Sequence, residues 1–316
     1  MPLLAIIVLN YNGCEDTLAC LTSLSGLEAN IILVDNGSTD GTVATVRRDF
    51  PRVSVLEMGV NLGYTGGMNA GIQHAQDTGA EYICVLNNDT TAEADTFDIL
   101  LSHCAGRPDV AISPRIDYAD GSGVWFAGGM LDRKLGWPVH LSVEAANLDR
   151  PFSSDLLTGC CLMASAATWR TVGSFDDAFF LNFEDSDWSM RARSLGVRLE
   201  IVPRALLRHG VSRSFASRSD LSLLGTYYFL RNALLFQRRY LRWQVGRLRF
   251  LRVHLIAGLW HDVRGGRLDR AVLRVLAIRD YFLRRFGPAG GAVLTVAERR
   301  ADMPPEVATI NANKRA

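Results

Sequence analysis

Long apolar runs and C-x-x-C cysteine pairs are both missing from this sequence of 316 residues. Without a stretch of about 18 apolar residues, no membrane-spanning helix is expected. The apolar first residues carry neither a basic stretch nor a cleavage site, so we expect a strand there and not a signal peptide. The six cysteines suit neither a zinc site nor a disulfide framework. We therefore expect core thiols in a reducing, cytoplasmic environment.

Net charge is also nearly absent, at +1 overall, but the charge is unevenly distributed. Residues 221–290 contain 14 arginines and three aspartates, so the rest of the chain is acidic. A hydrophobic content of 48% is enough for a sizeable core. We predict a domain over residues 1–220, a basic helical region over 221–290, and a flexible tail over 291–316.

The common phosphate-binding fingerprints are missing as well. The glycine-rich stretch 63–67 is followed by no Gly-Lys-Ser/Thr, and it does not stand after the first strand as a dinucleotide fingerprint would. Backbone amides at the start of the next helix could still bind a phosphate. A tight turn with close helix packing explains the glycines equally well.

What the first half does contain is a regular alternation of strands and helices. Apolar runs at 4–9, 31–34, 53–56 and 82–86 are separated by helical patterns and short loops. This order predicts an α/β fold with a mostly parallel sheet flanked by helices.

Polar residues follow three of these strands, at 10–12, 35–38 and 87–89. Each cluster alone is typical of a turn. Because ligands of parallel sheets bind beyond the carboxyl ends of the strands, three such clusters favour a ligand crevice.

A metal site is predicted at the end of the fourth strand, where Asp89 is the single acid. Magnesium commonly takes one or two protein carboxylates and fills its other positions with phosphate oxygens and water. The alternative is that Asp89 caps the following helix. His209, after a predicted strand, turn and second short strand over 197–210, could join Asp89 as a neutral imidazole, although a lone histidine is more often structural.

Three acids, Glu184, Asp185 and Asp187, begin a helical pattern beside several aromatic residues. The helix dipole favours acids at this position, which is the simpler explanation. Crowding three carboxylates next to apolar surface raises pKa values, which suits a general base working near neutral pH.

Two further segments border this predicted site. Residues 120–140 combine glycines with aromatic residues that include Trp125, which suits either a mobile loop whose aromatic faces stack on a ligand ring or a hairpin with buried aromatics. Residues 155–165, which include Gly159, read as a buried strand.

Six motifs occur in an order that resembles the inverting glycosyltransferases of family 2. They are IIVLNYN (6–12), ILVDNGSTDGT (32–42), NLGYTGGMNAGI (61–72), VLNNDT (85–90), FEDSDWSMRARSLG (183–196) and RHG (208–210). The later Arg231-Asn232 pair is similar to the rhamnosyltransferase branch. The resemblance implies a GT-A fold with a nucleotide-sugar half (1–115) and an acceptor half (116–220). It also implies a nucleotide-diphospho-sugar donor, dTDP-rhamnose being favoured, and a glycan or polyprenyl-linked acceptor with a reactive hydroxyl.

Carried over by position, the resemblance implies that Asp185 is the catalytic base and that Asp35 contacts the nucleotide. It implies that Asp89 and His209 hold a divalent metal, Mg²⁺ or Mn²⁺. Many relatives have an aspartate where this chain has Asn87. Other donor-side candidates are Asn10, Tyr11, Asn12, Asn36, Gly66, Gly67, Asn69, Asn87 and Asn88. Acceptor-side candidates are Trp125, Gly159, Glu184 and Asp187.

The basic region mixes arginine with leucine and aromatic residues at helical spacing, with a third helix predicted over 267–286. An anionic membrane surface is the favoured partner, with Trp243, Phe250, Leu251 and Trp260 entering the interface. A homo-oligomer interface or packing on the acidic domain is the alternative. No nucleic-acid-binding module accompanies the arginines, so no nucleic acid is expected.

Two other functions use similar folds. A sugar nucleotidyltransferase would need a basic glycine-rich loop near the first strand, where residues 10–13 contain no lysine or arginine. A non-catalytic sugar-nucleotide-binding protein would need Asp35 and Asp89 but not the acidic cluster at 184–187.

Overall fold

The computed structural model describes residues 3–141, 149–210, 219–241 and 245–301. Its strands are β1 (Leu4–Asn10), β2 (Asn30–Asp35), β3 (Ser54–Glu57), β4 (Tyr82–Asn87), β5 (Thr90–Ala92), β6 (Val110–Tyr118), β7 (Val124–Phe126), β8 (Gly129–Asp132), β9 (Trp137–His140), β10 (Phe152–Ser153), β11 (Cys161–Ser165) and β12 (Arg198–His209). Its helices are α1 (Cys14–Ser23), α2 (Thr42–Asp49), α3 (Gly63–Asp77), α4 (Thr96–Cys104), α5 (Ala166–Val172), α6 (Glu184–Ser194), α7 (Ser219–Tyr240), α8 (Val245–Phe250), α9 (Gly258–Arg264), α10 (Leu268–Phe282) and α11 (Gly291–Ala301). A π-helical segment, Leu251–Ala257, joins α8 to α9.

The central sheet has the strand order β10, β12, β6, β11, β4, β1, β2, β3. Strands β1 to β4 pair in parallel, and β11 runs antiparallel between β4 and β6. The inner strands are almost fully buried because helices cover both faces, as the near-continuous apolar runs predicted. The carboxyl ends of β1, β2 and β4 meet at one edge of the sheet. The predicted mostly parallel α/β architecture is confirmed.

The second half of the sheet differs from the prediction in three places. Residues 198–209 form the single strand β12, because a bulge between Val202 and Leu206 accommodates Pro203, which cannot donate to the ladder. The predicted strand over 155–165 is shorter, since β11 covers only its last five residues. Helix α4 begins after β5, with Asp95 at its N-cap position, so Asp89 does not cap it.

The basic region is helical, as predicted, and has an apolar core of its own. One buried cluster belongs to the sheet and the helices that cover it. A second cluster combines residues of α7, α10 and α11 with Phe179 and Phe183, which precede α6. The segment before the acidic helix is therefore packed from the C-terminal side. Trp243 and residues 302–316 of the predicted tail lie outside the described residues.

Candidate active site

The ends of β1, β2 and β4 are joined by a network of side-chain hydrogen bonds. The Asn10 amide donates to Asp35 Oδ1 at 3.0 Å and to Ser38 Oγ at 2.9 Å. Its oxygen accepts from Thr17 Oγ1 at 2.9 Å, and Asn88 donates to the same hydroxyl at 2.9 Å. Asn10 and Asp35 are buried, so these bonds satisfy groups that water cannot reach. Three predicted donor-side residues are thus fixed relative to one another.

Two neighbouring asparagines fix the loops around this network. Asn12 has a φ of 52° and accepts a hydrogen bond from the Thr39 amide at 2.8 Å. Asn36 donates to the Gly63 carbonyl at 3.0 Å and accepts from the Leu62 amide at 2.9 Å, which holds the start of α3 against β2. Tyr11, which follows Asn10 in the sequence, is partly buried.

The glycine-rich start of α3 is explained by close packing. A Cβ atom at Gly67 would lie 2.4 Å from Leu9 Cδ1, and one at Gly66 would lie 2.7 Å from Leu62 Cβ. Asn69 donates to the Phe175 carbonyl at 2.9 Å and accepts from the Phe175 amide at 3.0 Å. The packing interpretation of this stretch is therefore supported, and donor contacts from these three residues stay a prediction.

The tip of β4 brings Asp89 and His209 together, as the predicted metal site requires. His209 Nε2 lies 3.1 Å from Asp89 Oδ1, and the Gly210 amide donates to the Asp89 carbonyl at 2.8 Å. Buried His209 Nδ1 has no hydrogen-bond partner in the described part of the chain. The Asn87 backbone is held from both sides, since its N–H donates to the Cys160 carbonyl and its carbonyl accepts from the Thr90 hydroxyl.

Asp89 and His209 fit a metal site in which the substrate supplies some of the ligands. No group of three or more histidine, cysteine, aspartate or glutamate side chains with metal-binding geometry occurs among the described residues. One carboxylate and one imidazole leave most coordination positions to phosphate oxygens and water, which is how Mg²⁺ is usually bound with phosphorylated substrates.

Trp125 lies against one side of the predicted metal ligands. Its ring packs edge-on against His209, with centroids 4.3 Å apart, and against His140, at 4.8 Å. Residues 124–126 and 129–140 form short strands, so the hairpin interpretation of residues 120–140 holds, with Trp125 partly buried. His140 was not predicted as a site residue, because a lone histidine in a hairpin gives no signal of its surroundings.

The three acids at the start of α6 have different environments. Glu184 and Asp187 are buried, whereas Asp185 between them is partly exposed. Burial, followed by the charges of Asp185 and Asp187, raises the pKa of Glu184 well above its usual value. Burial therefore favours the neutral form of Glu184, and Asp185 is the partly exposed acid of the three.

An acceptor-facing position was expected for Asp187, but the structure buries it between α6 and α7. Its carboxylate accepts from Arg191 Nε at 2.9 Å, from Arg239 Nη1 at 2.7 Å and from the Tyr240 hydroxyl at 2.8 Å. Each oxygen of this buried charge has a partner, as its burial requires. Asp187 thus joins α6 to the C-terminal helices.

The backbone before α6 is strained and is held by α7. Phe180, Asn182 and Phe183 have φ values of 60°, 69° and 72°, which side-chain-bearing residues rarely adopt. Asn232 donates to the carbonyls of residues 179, 181 and 182, and Arg231 donates to those of residues 178 and 179. The Arg-Asn pair, noted in the sequence only as a family feature, therefore fixes the loop that presents Asp185.

Asp185 is also connected to the donor side. Its Oδ2 accepts from the Gly159 amide at 3.0 Å, and the Gly159 carbonyl accepts from the Tyr64 hydroxyl at 2.6 Å. A Cβ atom at Gly159 would lie 2.8 Å from that hydroxyl, so a larger residue here would displace the Tyr64 ring. Tyr64, on α3, was missed as a candidate because the contact spans 95 residues of sequence.

Asp89 and Asp185 share a neighbourhood despite the distance between them in the chain. Burial raises the pKa of the Cys160 thiol, and the Asp89 and Asp185 carboxylates both add to the rise. The Asn87 backbone amide donates to the Cys160 carbonyl at 2.9 Å, and the backbone amide of the preceding residue, Gly159, donates to Asp185 Oδ2 at 3.0 Å. The predicted base and the predicted metal ligands therefore border one region, between the β4 tip and the start of α6.

Relatives with known names resemble this chain over most of its length. It is 30% identical over 284 residues to an N-acetylglucosaminyl-diphospho-decaprenol L-rhamnosyltransferase of Mycobacterium tuberculosis, covering 81% of this chain and 92% of that protein. It is 22% identical to the dTDP-rhamnosyl transferase RfbF of Shigella flexneri, covering 74% of this chain and 79% of that protein.

Solved structures with low sequence identity share the fold. A mannosyltransferase from Pyrobaculum calidifontis, in complex with GDP-Man and Mn²⁺, is 14% identical with a TM-score of 0.54, covering 98% of this chain and 83% of that one. GalNAc-T7, with UDP, GalNAc and Mn²⁺, gives a TM-score of 0.57 at 14% identity, covering 80% of this chain and 54% of that one. Both are glycosyltransferases, and the sheet described above has the GT-A architecture. The model of the family "Glycosyl transferase family 2" matches residues 5–170. The chain therefore belongs to this family of glycosyltransferases.

Proposed function

We propose that this glycosyltransferase transfers rhamnose from dTDP-rhamnose to a hydroxyl of a glycan or polyprenyl-linked glycan, with inversion at the anomeric carbon. The donor is supported by the dTDP-rhamnosyl transferase of Shigella flexneri. The acceptor class is supported by the mycobacterial relative, whose name specifies a decaprenol-linked sugar.

One observation carries the proposal. Asp185 is the partly exposed acid of its cluster, and it lies beside the tip of β4, because the Gly159 amide donates to Asp185 while the carbonyl of the next residue, Cys160, accepts from the Asn87 backbone amide. A base and a leaving-group site in one region are what a direct displacement needs, because the acceptor oxygen attacks opposite the departing diphosphate.

Asp185 acts in this proposal as the general base. Its carboxylate takes the proton from the acceptor hydroxyl as that oxygen attacks the anomeric carbon and the bond to the diphosphate breaks. The amides of Gly159 and Ser186, at 3.0 and 2.6 Å, hold the carboxylate in place. A single displacement inverts the anomeric centre and uses one carboxylate, unlike the two-carboxylate chemistry of glycosidases.

The donor would lie along the ends of β1, β2 and β4. Asp35 would contact the base or ribose, with Asn10 and Asn12 beside it, and Asn87 and Asn88 would orient ribose or phosphate. Backbone amides at the start of α3 would face the diphosphate, since a helix N-terminus favours negative charge.

Asp89 and His209 would hold a divalent cation, Mg²⁺ or Mn²⁺, against the diphosphate. When bound, the cation supplies positive charge that stabilises the leaving group. The acceptor would bind between Trp125, Gly159 and the start of α6, where Glu184 supports Asp185 from the buried side.

We further propose that residues 1–220 form the catalytic domain and residues 221–290 a helical extension. The separate apolar core of the C-terminal helices supports this division. The protein would work in the cytoplasm, at the cytoplasmic face of the membrane, where a lipid-linked acceptor is found. A homo-oligomer through the extension is the competing assignment.

Nucleoside diphosphate release tests the function and its alternatives. The purified protein is incubated with dTDP-, UDP- and GDP-sugars, with a polyprenyl-diphosphate-linked N-acetylglucosamine acceptor, and with Mg²⁺, Mn²⁺ or EDTA. We expect acceptor-dependent release of dTDP from dTDP-rhamnose that EDTA abolishes. Tight donor binding without release would indicate a non-catalytic binding protein, and pyrophosphate-dependent formation of a nucleoside triphosphate would indicate a nucleotidyltransferase.

A further inference from the structure

Exposed apolar side chains are concentrated in a short part of the C-terminal helices. Ten of the sixteen exposed large hydrophobic residues in the described chain lie within residues 248–283. We call them the outer hairpin face: Leu248, Val253, Ile256, Trp260, Val263, Leu268, Val272, Val275, Phe282 and Leu283. Scattered apolar residues are normal on protein surfaces, but such a cluster indicates an interaction surface.

Helix α10 is apolar on two opposite sides. Its buried side, which includes Leu273 and Ala277, packs within the C-terminal core. Its exposed side repeats at intervals of three, four and seven residues, through Leu268, Val272 and Phe282 among others, and Phe282 is 73% exposed. A surface helix of a monomeric protein normally has polar residues on its outer side. The outer apolar stripe of α10 is therefore exposed to solvent.

The segment from α8 to α9 has the same arrangement. Arg274 of α10 donates to Asp262 Oδ2 and to the His254 backbone carbonyl, both at 2.7 Å, so the Asp262 side chain faces α10. On a helix, Ile256 and Trp260 then point away from that contact, and they are 65% and 60% exposed. The two helical segments form a hairpin with its apolar residues turned outwards.

The charge on the outer side is positive. Five exposed arginines accompany the apolar residues: Arg249, Arg252, Arg264, Arg284 and Arg285. The acids of this region do not balance them, because Asp262 and Asp280 are buried in ion pairs with Arg274 and Arg279, and Asp269 is a single, partly exposed carboxylate. The Arg264 guanidinium lies 4.9 Å from the centre of the Trp260 ring. Arginine next to exposed aromatic and aliphatic side chains matches the boundary between anionic headgroups and acyl chains.

We propose that the outer hairpin face docks the protein on an anionic lipid bilayer. Trp260, Phe282 and their apolar neighbours enter the headgroup boundary, and the exposed arginines contact lipid phosphates. The set of membrane-contacting residues differs in part from the set predicted from the sequence. Phe250 is fully buried and Leu251 packs against the core, while Trp260 remains in the contact.

The inner side of the same helices supports the catalytic loop, which connects docking to the site. Asp280 of α10 accepts from the Tyr227 hydroxyl at 2.9 Å. One turn further along α7, Arg231 holds the loop before Asp185. The inference deepens the proposed function and takes its biological meaning from it, because docking would place Asp185 near a lipid-linked acceptor.

Vesicle cosedimentation tests the docking. The full chain is mixed with vesicles of phosphatidylcholine alone or with about 30% phosphatidylglycerol, at physiological salt. A Trp260→Ser/Phe282→Ser variant removes two exposed anchors, and Leu195→Ser, at a residue 55% exposed on the catalytic domain, is the matched control. We expect binding to the anionic vesicles, a loss of about tenfold or more in the partition coefficient for the double variant, and no loss for Leu195→Ser.

Three results would overturn the proposal. The first is absence of anionic-vesicle binding by the wild-type chain, and the second is equal binding by the double variant. The third is a wild-type dimer, measured by light scattering, that the double variant dissociates, because a second copy would then cover this face. Release of dTDP with a short water-soluble acceptor separates this test from the proposed function. Vesicle binding without dTDP release would contradict only the proposed function. Release of dTDP without vesicle binding would contradict only the docking proposal.

Discussion

The donor edge and the acceptor side of the site are built in different ways. At the donor edge, Asn10, Asp35 and Asn88 are positioned by strand ends and by hydrogen bonds among residues of the first half. On the acceptor side, Asp185 follows a strained loop that is held by α7, about 50 residues further along the chain. Donor binding should therefore be independent of the C-terminal helices, whereas turnover should depend on them.

Asp185→Asn should produce the largest effect and should separate the two sides. An amide of the same shape cannot take the acceptor proton, so we expect kcat to fall about a thousand-fold. Donor affinity, measured by calorimetry with dTDP-rhamnose, should stay within about twofold of the wild type. Retention of a tenth of wild-type turnover would remove Asp185 from the role of base.

Asp35→Ala should have the opposite signature. Loss of a charge-assisted hydrogen bond to the nucleotide should raise the KM for the donor about 50-fold and change kcat little. Ser38→Ala is the matched control, because it removes a hydrogen bond of the same network without removing the carboxylate. Equal kinetic effects of the two variants would show that Asp35 acts only through the network.

Asn232→Ala tests the dependence of Asp185 on α7. Three carbonyls of the strained loop lose the hydrogen bond from Asn232, and only that of residue 179 keeps one from Arg231, so the loop should relax and kcat should fall about 30-fold with little change in donor affinity. Gln237→Ala is the control on the same helix. Its buried amide donates to the Gly136 carbonyl at 2.7 Å, away from the loop. A similar kcat loss in both variants would indicate general destabilisation of α7.

Tyr64→Phe tests the connection between the two sides. Without its hydroxyl, the Gly159 carbonyl loses a hydrogen bond that restrains the residue whose amide donates to Asp185, and we expect kcat to fall about fivefold. The slope of the pH profile should persist, since Tyr64 does not take up the proton. Tyr82→Phe, which removes a hydroxyl contact to Gly106, should leave kcat unchanged.

Glu184→Gln should give the smallest effect, seen as stability rather than rate. The folded protein holds the Glu184 proton to a higher pH than the unfolded chain, because burial raises the pKa of this carboxyl. The stabilisation is therefore complete below the unfolded pKa of about 4.3 and is lost as pH rises towards the folded value. The variant should match the wild-type Tm near pH 4 and exceed it by a few degrees at pH 8. A Tm difference independent of pH would contradict this assignment.

The sequence predicts the donor edge well because its information is local. Strands β1 to β4 are short apolar runs, and their ends are marked by asparagine and aspartate. The pairing of Asp89 with His209 was inferred from the order of strands and from the family resemblance, and the structure contains that contact.

The acceptor side is harder to predict because its contacts are distant in sequence. The burial of Asp187 depends on Arg239 and Tyr240 of α7, and the position of Asp185 depends on Asn232. Helical periodicity alone also does not tell which apolar stripe of α10 is covered. The same holds for α8, where Phe250 was expected at a surface and is buried.

The most direct test of the account is a crystal structure of the protein with dTDP and Mn²⁺. We expect the thymine and ribose beside Asp35, an anomalous Mn²⁺ peak within bonding distance of Asp89, and the Asp185 carboxylate across an open space from the β-phosphate. A nucleotide bound elsewhere, or a metal peak remote from Asp89 with Asp185 facing away from the diphosphate, would contradict the shared site.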